Sequence, residues 1–180
     1  MTFPSLHIPE HLYFVTATVC GSKHIFSEEP YAEIVLNSLS WLQDHNRMNL
    51  YAYVLMPSHL HTILKPIGLT IGQLLQNFGS FTAHDILKRL RHENQTDLLQ
   101  FFHQHRRNVH QQHSIWQDIQ AKNIYSREFL RQKLEYIHNN PIAKDWQLVK
   151  GRADYRYSSA CYYDHGVIPI IPVDDVRDWL

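Results

Sequence analysis

The stretch YAYVLMPSHLHTILKP (residues 51–66) consists of two apolar runs that are separated at Pro57-Ser58. Because proline cannot lie in the middle of a paired central strand, we interpret the two runs as adjacent strands joined by a tight turn. Side chains alternate between the two faces of a strand, so His59 and His61 point to one side and Leu60 to the other. The hairpin therefore presents two imidazoles on one face of a sheet.

Patterns of apolar residues elsewhere predict one more strand and three helices. LYFVTATVC (residues 12–20) is rich in β-branched and aromatic residues, which is typical of a strand. Apolar positions at spacings of three and four predict helices over residues 29–45, 71–92 and 126–140. Ser126 is a suitable N-cap for the last helix, which we expect to end before Pro141. Gly79 weakens the centre of the second helix, where a kink or break is possible.

The order of these elements defines the fold class. Strand, helix, hairpin, helix, loop and helix do not alternate as in a parallel α/β sheet. The polar residues 93–114 are interpreted as a loop with at most one helical turn, and residues 164–180 as an extended tail. We predict an α+β fold, an antiparallel sheet with helices packed on one face. At 180 residues, we expect a single domain over 1–180, with its core at about 12–163.

Composition excludes several classes of protein. Seventeen Lys and Arg balance seventeen Asp and Glu, which excludes a uniformly basic nucleic-acid-binding surface. Cys20 and Cys161 are far apart and form no Cys-x-x-Cys pair, which excludes a disulfide scaffold and a thiolate zinc site. We find neither a signal-peptide pattern nor an apolar stretch long enough to span a membrane. We therefore expect a cytoplasmic protein with no membrane partner.

The neutral total conceals an uneven distribution of charge. Residues 84–156 hold thirteen Lys and Arg against eight Asp and Glu, so this part of the chain is basic. Such residues bind phosphates without reading sequence, and the alternative is that they lie on solvated helix faces. The candidate DNA-binding residues are Lys88, Arg89, Arg91, Arg106, Arg107, Lys122, Arg127, Arg131 and Lys133.

A His-x-His pattern is weak evidence in this chain, because fourteen histidines would produce it about once by chance. It occurs at His59/His61 and at His103/His105. The first pair lies on a predicted strand, where two neutral imidazoles could bind one divalent metal ion; the alternative is two ordinary histidines. The second pair lies in the polar loop and is interpreted as solvated or in contact with phosphate.

The predicted helix over residues 126–140 carries a second set of polar side chains. Lys133, Tyr136 and Asn140 follow one line beside the apolar stripe, so Tyr136 and Asn140 share a face. A helical tyrosine is usually a packing residue. A phenol is also a covalent nucleophile when a metal ion assists it, and it could then attack a phosphodiester and release a deoxyribose 3′-oxygen.

These motifs resemble those of the single-tyrosine HUH transposases, especially the REP-associated tyrosine transposase branch. The family's Met-Pro-x-His-hydrophobic-His element matches residues 56–61, and its Tyr-Ile-x-x-Asn-Pro element matches residues 136–141. A Trp-Gln pair at residues 116–117 and a Tyr-x-x-Ser-Ser element at residues 155–159 also match. The usual Leu-Val after Asn-Pro is displaced to residues 148–149. The resemblance covers about residues 12–163.

The resemblance implies a ferredoxin-like domain that binds single-stranded DNA beside a hairpin or palindrome. It implies cleavage with Mg²⁺ or Mn²⁺, a 5′-phosphotyrosine intermediate and rejoining of strands, and a homodimer is compatible with it. Tyr136 would be the nucleophile. His59 and His61 would bind the metal ion, with Asn140, where some relatives carry Gln, as the third ligand. Such a protein would be associated with the nucleoid when bound to DNA.

Two alternatives remain open at this point. A non-catalytic protein that keeps the fold would recognise structured DNA without cutting it. A metal-dependent phosphohydrolase would turn over a small substrate without forming an adduct with the protein.

Overall fold

The computed structural model describes residues 11–106 and 113–180. These residues form an antiparallel four-stranded sheet in the order β2-β3-β1-β4, which is the ferredoxin-like arrangement. The strands are β1 (Leu12–Val19), β2 (Met48–Met56), β3 (His59–Pro66) and β4 (Trp116–Ile124). The α-helices are α1 (Glu29–Asp44), α2 (Ile71–His92), α3 (Thr96–Gln104), α4 (Arg127–Asn139) and α5 (Ala160–His165). The predicted α+β class and antiparallel sheet are confirmed.

The predicted hairpin is present and lies beside the central strand β1. Strands β2 and β3 pair in antiparallel register around the turn at Pro57-Ser58. The backbone N–H of Val19 donates to the Ser58 carbonyl at 2.9 Å, which ties the turn to the end of β1. The hairpin is therefore fixed at the end of the sheet where His59 begins β3.

The sheet has a hydrophobic core on each face. Tyr13, Val15 and Ala17 of β1 belong to the core with α1 and α2, whereas Phe14 belongs to the core with α4. The expectation of helices on one face thus holds for α1 and α2, but α4 packs on the opposite face. The reason is that β1 carries apolar side chains on both faces, as does β3 at Ile63 and Leu64.

The predicted helices form close to their expected bounds. Thr70 and Gln73 make a capping box at the start of α2. The helix continues without a break through Gly79, where a Cβ atom would lie 2.7 Å from Cδ1 of Ile119. Gly79 thus permits a close approach between α2 and β4. The hydroxyl of Ser126 accepts a hydrogen bond from Phe129 N, which confirms the predicted N-cap of α4.

Two elements differ from the sequence prediction. Residues 93–114 were expected to hold at most one helical turn, but they include the nine-residue helix α3, whose Phe102 is fully buried. Strand β4 was not predicted. It pairs with β1 along its length and is an edge strand, so much of it is exposed to solvent.

The C-terminal part of the chain covers the other edge of the sheet. Ser158 forms an isolated bridge with Val54 of β2, and α5 follows it. Further along, Asp174 N donates to the Leu50 carbonyl at 2.8 Å. These bonds occupy backbone groups that an exposed edge strand would leave unpaired. Within the described ranges, no helix is long and apolar enough to cross a membrane.

Candidate active site

The two histidines of β3 lie on the face of the sheet that α4 covers. His59 and His61 are two residues apart on β3, and their ring centroids are 4.8 Å apart. His61 lies opposite Thr16 in the register of β1 and stacks on the ring of Phe14, with centroids 5.4 Å apart. The predicted common direction of the two imidazoles is therefore observed.

A neighbouring hydroxyl group contacts the Nδ1 atom of each imidazole. The Oγ1 atom of Thr16 lies 3.0 Å from Nδ1 of His61, and the Oγ atom of Ser58 lies 3.2 Å from Nδ1 of His59. When Nδ1 carries the proton and donates it to the hydroxyl oxygen, Nε2 keeps its lone pair. This arrangement orients both Nε2 atoms as ligands for a cation.

Both imidazoles are held in the neutral form. Burial lowers the pKa of His61 to about 3, and the nearby His59 and Lys133 act in the same direction. Burial also lowers the pKa of His59, partly offset because the Asn140 carbonyl oxygen accepts a hydrogen bond from Nε2 of the protonated ring. Neutral imidazole is the form that binds metal ions, so no proton has to be removed from either ring at neutral pH.

Helix α4 brings the other two predicted residues to these histidines. The hydroxyl of Tyr136 lies 3.4 Å from Nε2 of His61, and Oδ1 of Asn140 lies 3.4 Å from Nε2 of His59. Asn140 keeps helical backbone angles at the C-cap of α4, so it remains on the face that Tyr136 occupies. The four residues that the motifs singled out thus meet in one place.

The C-terminal half of α4 is fastened to the segment that follows it. Arg152 forms ion pairs with Glu135 of α4 and Asp164 of α5, at 2.6 and 2.7 Å. His138, which is buried, lies with its Nε2 atom 3.0 Å from the hydroxyl of Ser159. Both contacts are within one helical turn of Tyr136, so they fix the rotation of α4 about its axis.

The donors at this site fit a divalent cation that accepts mixed nitrogen and oxygen ligands. Two imidazole nitrogens and one amide carbonyl oxygen converge there, and the Nδ1 atoms on the opposite side of both imidazoles already have hydroxyl partners. Within residues 11–106 and 113–180, no group of three or more His, Cys, Asp or Glu has the geometry of a metal site. The oxygen donor that lies beside the two histidines is the Asn140 amide.

Aromatic side chains surround the site. The indole of Trp146 lies 5.6 Å from the ring of His59 and 5.3 Å from that of His24. On the other side, the Lys133 ammonium lies 4.8 Å from the centroid of Phe14 and 5.3 Å from that of Tyr136. The lysine is thus the cationic group next to the proposed nucleophile.

The candidate basic residues do not form one surface. Helix α4 carries Arg127, Arg131 and Lys133 and lies on the same face of the sheet as the histidines. Lys122 faces the same way because it pairs with Phe14. The three basic residues of α2 belong to the helix on the opposite face: Lys88, Arg89 and Arg91.

The second His-x-His pair is separate from the site. His103 lies in the last turn of α3 and contacts Arg106, while the ring of His105 stacks on Phe101 with centroids 3.9 Å apart. Arg107 lies outside the described residues. Neither histidine of this pair is brought to the first pair, which lies at the opposite side of the sheet.

Sequence reasoning missed several residues that support the site: Thr16, Ser58, Phe14 and Trp146. A signal for two of them exists in β1, where Phe14, Thr16 and Thr18 alternate with fully apolar positions. The alternation indicates a face with a polar end, but the partner strand and its register are not visible in a single sequence.

Comparison with models of known protein families gives no match, and neither does comparison with curated proteins. One similar solved structure is a REP-associated tyrosine transposase bound to a REP hairpin. Its TM-score is 0.66 at 18% identity, over 99% of this chain and 94% of that one. A proposed transposase from Deinococcus radiodurans R1 is 15% identical, with a TM-score of 0.48 over 77% of this chain and 97% of its own. The chain therefore has the fold of a REP-associated tyrosine transposase, as the motif resemblance implied.

Proposed function

We propose that this protein is a metal-dependent enzyme that nicks and rejoins single-stranded DNA through a 5′-phosphotyrosine intermediate, in DNA transposition or in the processing of REP elements. The observation that carries the proposal is the meeting of Tyr136 and Asn140, from a late helix, with His59 and His61 from an earlier hairpin. The shared fold and four motif elements in the same order support it.

The reaction exchanges one phosphodiester for another. The Tyr136 oxygen attacks the phosphorus, its P–O bond forms, and the bond from phosphorus to the deoxyribose 3′-oxygen breaks. The phenol proton leaves to solvent, which reaches this side chain because 47% of its surface is exposed. The 3′-oxygen leaves and takes up a proton. Attack by a 3′-hydroxyl then reverses these changes and releases the phenol.

The remaining residues of the site orient the reacting groups. His59, His61 and Asn140 would bind Mg²⁺ or Mn²⁺, which when bound polarises a non-bridging phosphoryl oxygen. Thr16 and Ser58 hold the two imidazoles by their Nδ1 atoms. Packing of His61 on Phe14 excludes water from one side of the site. The Lys133 ammonium adds positive charge beside the scissile phosphate.

The substrate class follows from the site and the fold together. A phenol on an exposed helix surface can reach a phosphodiester in a flexible single strand without opening a duplex. The similar structure is described as bound to a REP hairpin, which suggests a stem-loop as the element that positions the strand. We therefore propose hairpin DNA with a single-stranded flank as the substrate.

A denaturing gel tests the chemistry. The protein is incubated with Mn²⁺ and a hairpin oligonucleotide that carries labelled single-stranded flanks, and a covalent adduct appears as a retarded band. We expect Tyr136→Phe to abolish this band and EDTA to prevent it in the wild type. Hairpin affinity, measured by anisotropy, should be unchanged in Tyr136→Phe because the ring and its packing remain.

Tyr125→Phe is the matched control, since Tyr125 is an exposed tyrosine of the same region and the change removes only a hydroxyl that is not the proposed nucleophile, while the aromatic ring remains. An adduct that survives Tyr136→Phe would remove this residue from the mechanism. Hairpin binding without any wild-type adduct would favour the non-catalytic alternative. Turnover of a small phosphate ester without an adduct would favour the phosphohydrolase.

A further inference from the structure

A line of side chains leads away from the site along the outer face of α4. Its members, which we call the α4 strip, are Tyr125, Phe129, Lys133 and Tyr136. The rings of Tyr125 and Phe129 stack with centroids 5.2 Å apart and planes 11° apart. The Lys133 ammonium lies 5.2 Å from the centroid of Phe129 and 5.3 Å from that of Tyr136. The strip is therefore continuous from the beginning of the helix to the proposed nucleophile.

The outer end of the strip is exposed although it is aromatic. Tyr125 has 77% of its surface accessible to solvent. Its ring therefore stacks on Phe129 without being part of the core. Tyr136 is also partly open, with 47% of its surface exposed. An exposed ring that stacks on a half-buried one beside the candidate site presents a flat apolar surface to a ligand.

The charges beside the strip suit a polyanion. Lys133 lies within the strip, and Lys122 projects from β4 on the same face because it pairs with Phe14. Arg127 and Arg131 lie on the other side of the helix, each two residues from Phe129, so Lys122 and Lys133 supply the positive charge next to the strip. Glu135 faces the other way, since it is paired with Arg152.

We infer that the α4 strip is a binding surface for the unpaired nucleotides that flank the cleaved bond, with bases stacked on Tyr125 and Phe129 and a phosphate on Lys133. Stacking on aromatic rings between cations is the usual way in which proteins bind a single strand without reading its sequence. This inference rests on the proposed function, in which the substrate is a single strand, and it adds the position of that strand on the protein.

The length of the strip predicts how many nucleotides it binds. Phe129 and Tyr136 are seven residues apart on α4, about 10 Å along the helix axis, and the Tyr125 ring extends the strip by its stacking distance of 5.2 Å from Phe129. Stacked nucleotides rise by about 3.4 Å each, so the strip accommodates about four or five of them. Affinity should therefore increase with the length of the single-stranded flank up to about that number and then level off.

Fluorescence anisotropy with two sets of hairpins tests the inference. One hairpin is blunt, and the others share its stem but carry a six-nucleotide flank on the 5′ or the 3′ side. We expect Tyr125→Ala to weaken binding of one flanked hairpin by at least about fivefold, the effect of losing one stacked base, without changing binding of the blunt hairpin. Lys133→Met should remove about one contact with a single-strand phosphate, so the slope of log affinity against log salt concentration should become shallower by about 0.7.

Trp41→Ala is the matched control, because Trp41 is an aromatic residue with 53% of its surface exposed, on α1 across the sheet. The inference would be overturned if Trp41→Ala lost as much affinity for the flanked hairpin as Tyr125→Ala. It would also be overturned if Tyr125→Ala lost equal affinity for blunt and flanked hairpins, or lost none. An adduct formed normally by Tyr125→Ala together with unchanged affinity would leave the proposed function standing and remove the strip. Flank binding that depends on Tyr125, without any adduct in the wild type, would support the strip as a binding surface and contradict the proposed function.

Discussion

The hydrogen bond between α2 and the beginning of β4 makes a sharp prediction about stability. The indole N–H of Trp116 donates to the hydroxyl of Thr82 at 2.9 Å, and both side chains are buried. The hydroxyl in turn donates to the Phe78 carbonyl at 2.7 Å. Thr82→Val keeps the shape of the side chain but leaves the indole N–H without an acceptor in the core.

The expected cost is larger for valine than for serine. An unsatisfied buried donor costs about 1–3 kcal/mol, so Thr82→Val should lower the free energy of unfolding by about 2 kcal/mol. Thr82→Ser keeps the hydroxyl and loses one methyl group, for about 1 kcal/mol. For a chain of this size, these losses correspond to decreases in Tm of about 4–8 °C and 2–4 °C. Urea denaturation followed by far-UV circular dichroism measures both.

A double-mutant cycle with Trp116→Phe isolates the hydrogen bond, because the phenylalanine has no donor to leave unsatisfied. In that background, Thr82→Val should cost far less than it does in the wild type. Our reasoning fails if Thr82→Val is at least as stable as Thr82→Ser, or if its cost is the same in both backgrounds.

Three further predictions concern other parts of the molecule. Arg152→Met should lower the free energy of unfolding by about 1–2 kcal/mol in urea denaturation, because it breaks the ion pairs that fasten α4, and should slow adduct formation on gels. Burial and the charge of Arg152 lower the pKa of His138 to about 4, below that of the unfolded chain. Acid therefore favours the unfolded state, and His138 should contribute about 2 kcal/mol to the loss of stability between pH 7 and 5; His138→Gln should remove this contribution in urea melts at both pH values, while that of His61 remains. Gly79→Ala should raise the free energy of unfolding by about 1 kcal/mol, the difference in helix propensity, only when Ile119→Val removes the methyl group that lies 2.7 Å from the new Cβ; thermal melts of the single and double variants check this.

The long helices could be predicted because their apolar residues follow one period throughout, and the hairpin because two apolar runs lie on either side of Pro57-Ser58. Strand β4 could not. Its register with β1 shifts between Thr18 and Val19, so Trp116 and Ile119 face the same core although they are three residues apart. A bulge of this kind breaks the alternation on which strand prediction depends, and an edge strand exposes polar side chains as well.

The candidate site was predictable to the extent that it depends on local geometry. The common direction of His59 and His61 follows from strand alternation, and the shared face of Tyr136 and Asn140 from helix periodicity. Their meeting across the sheet depends on the packing of α4 on the second face, which no local pattern specifies. Trp146 lies in an irregular segment without a period, so only the folded chain shows that its indole reaches His59.

The two-sided packing of β1 limits how this protein can change over generations. Deleting or inserting one residue ahead of Phe14 would turn every following side chain of the strand to the opposite face of the sheet. Val15 and Ala17 would then leave the core with α1 and α2, and Thr16 would lose its contact with His61. Point substitutions at a single position avoid this double loss. Descendants of this chain should therefore vary in residue type along β1 far more readily than in its length.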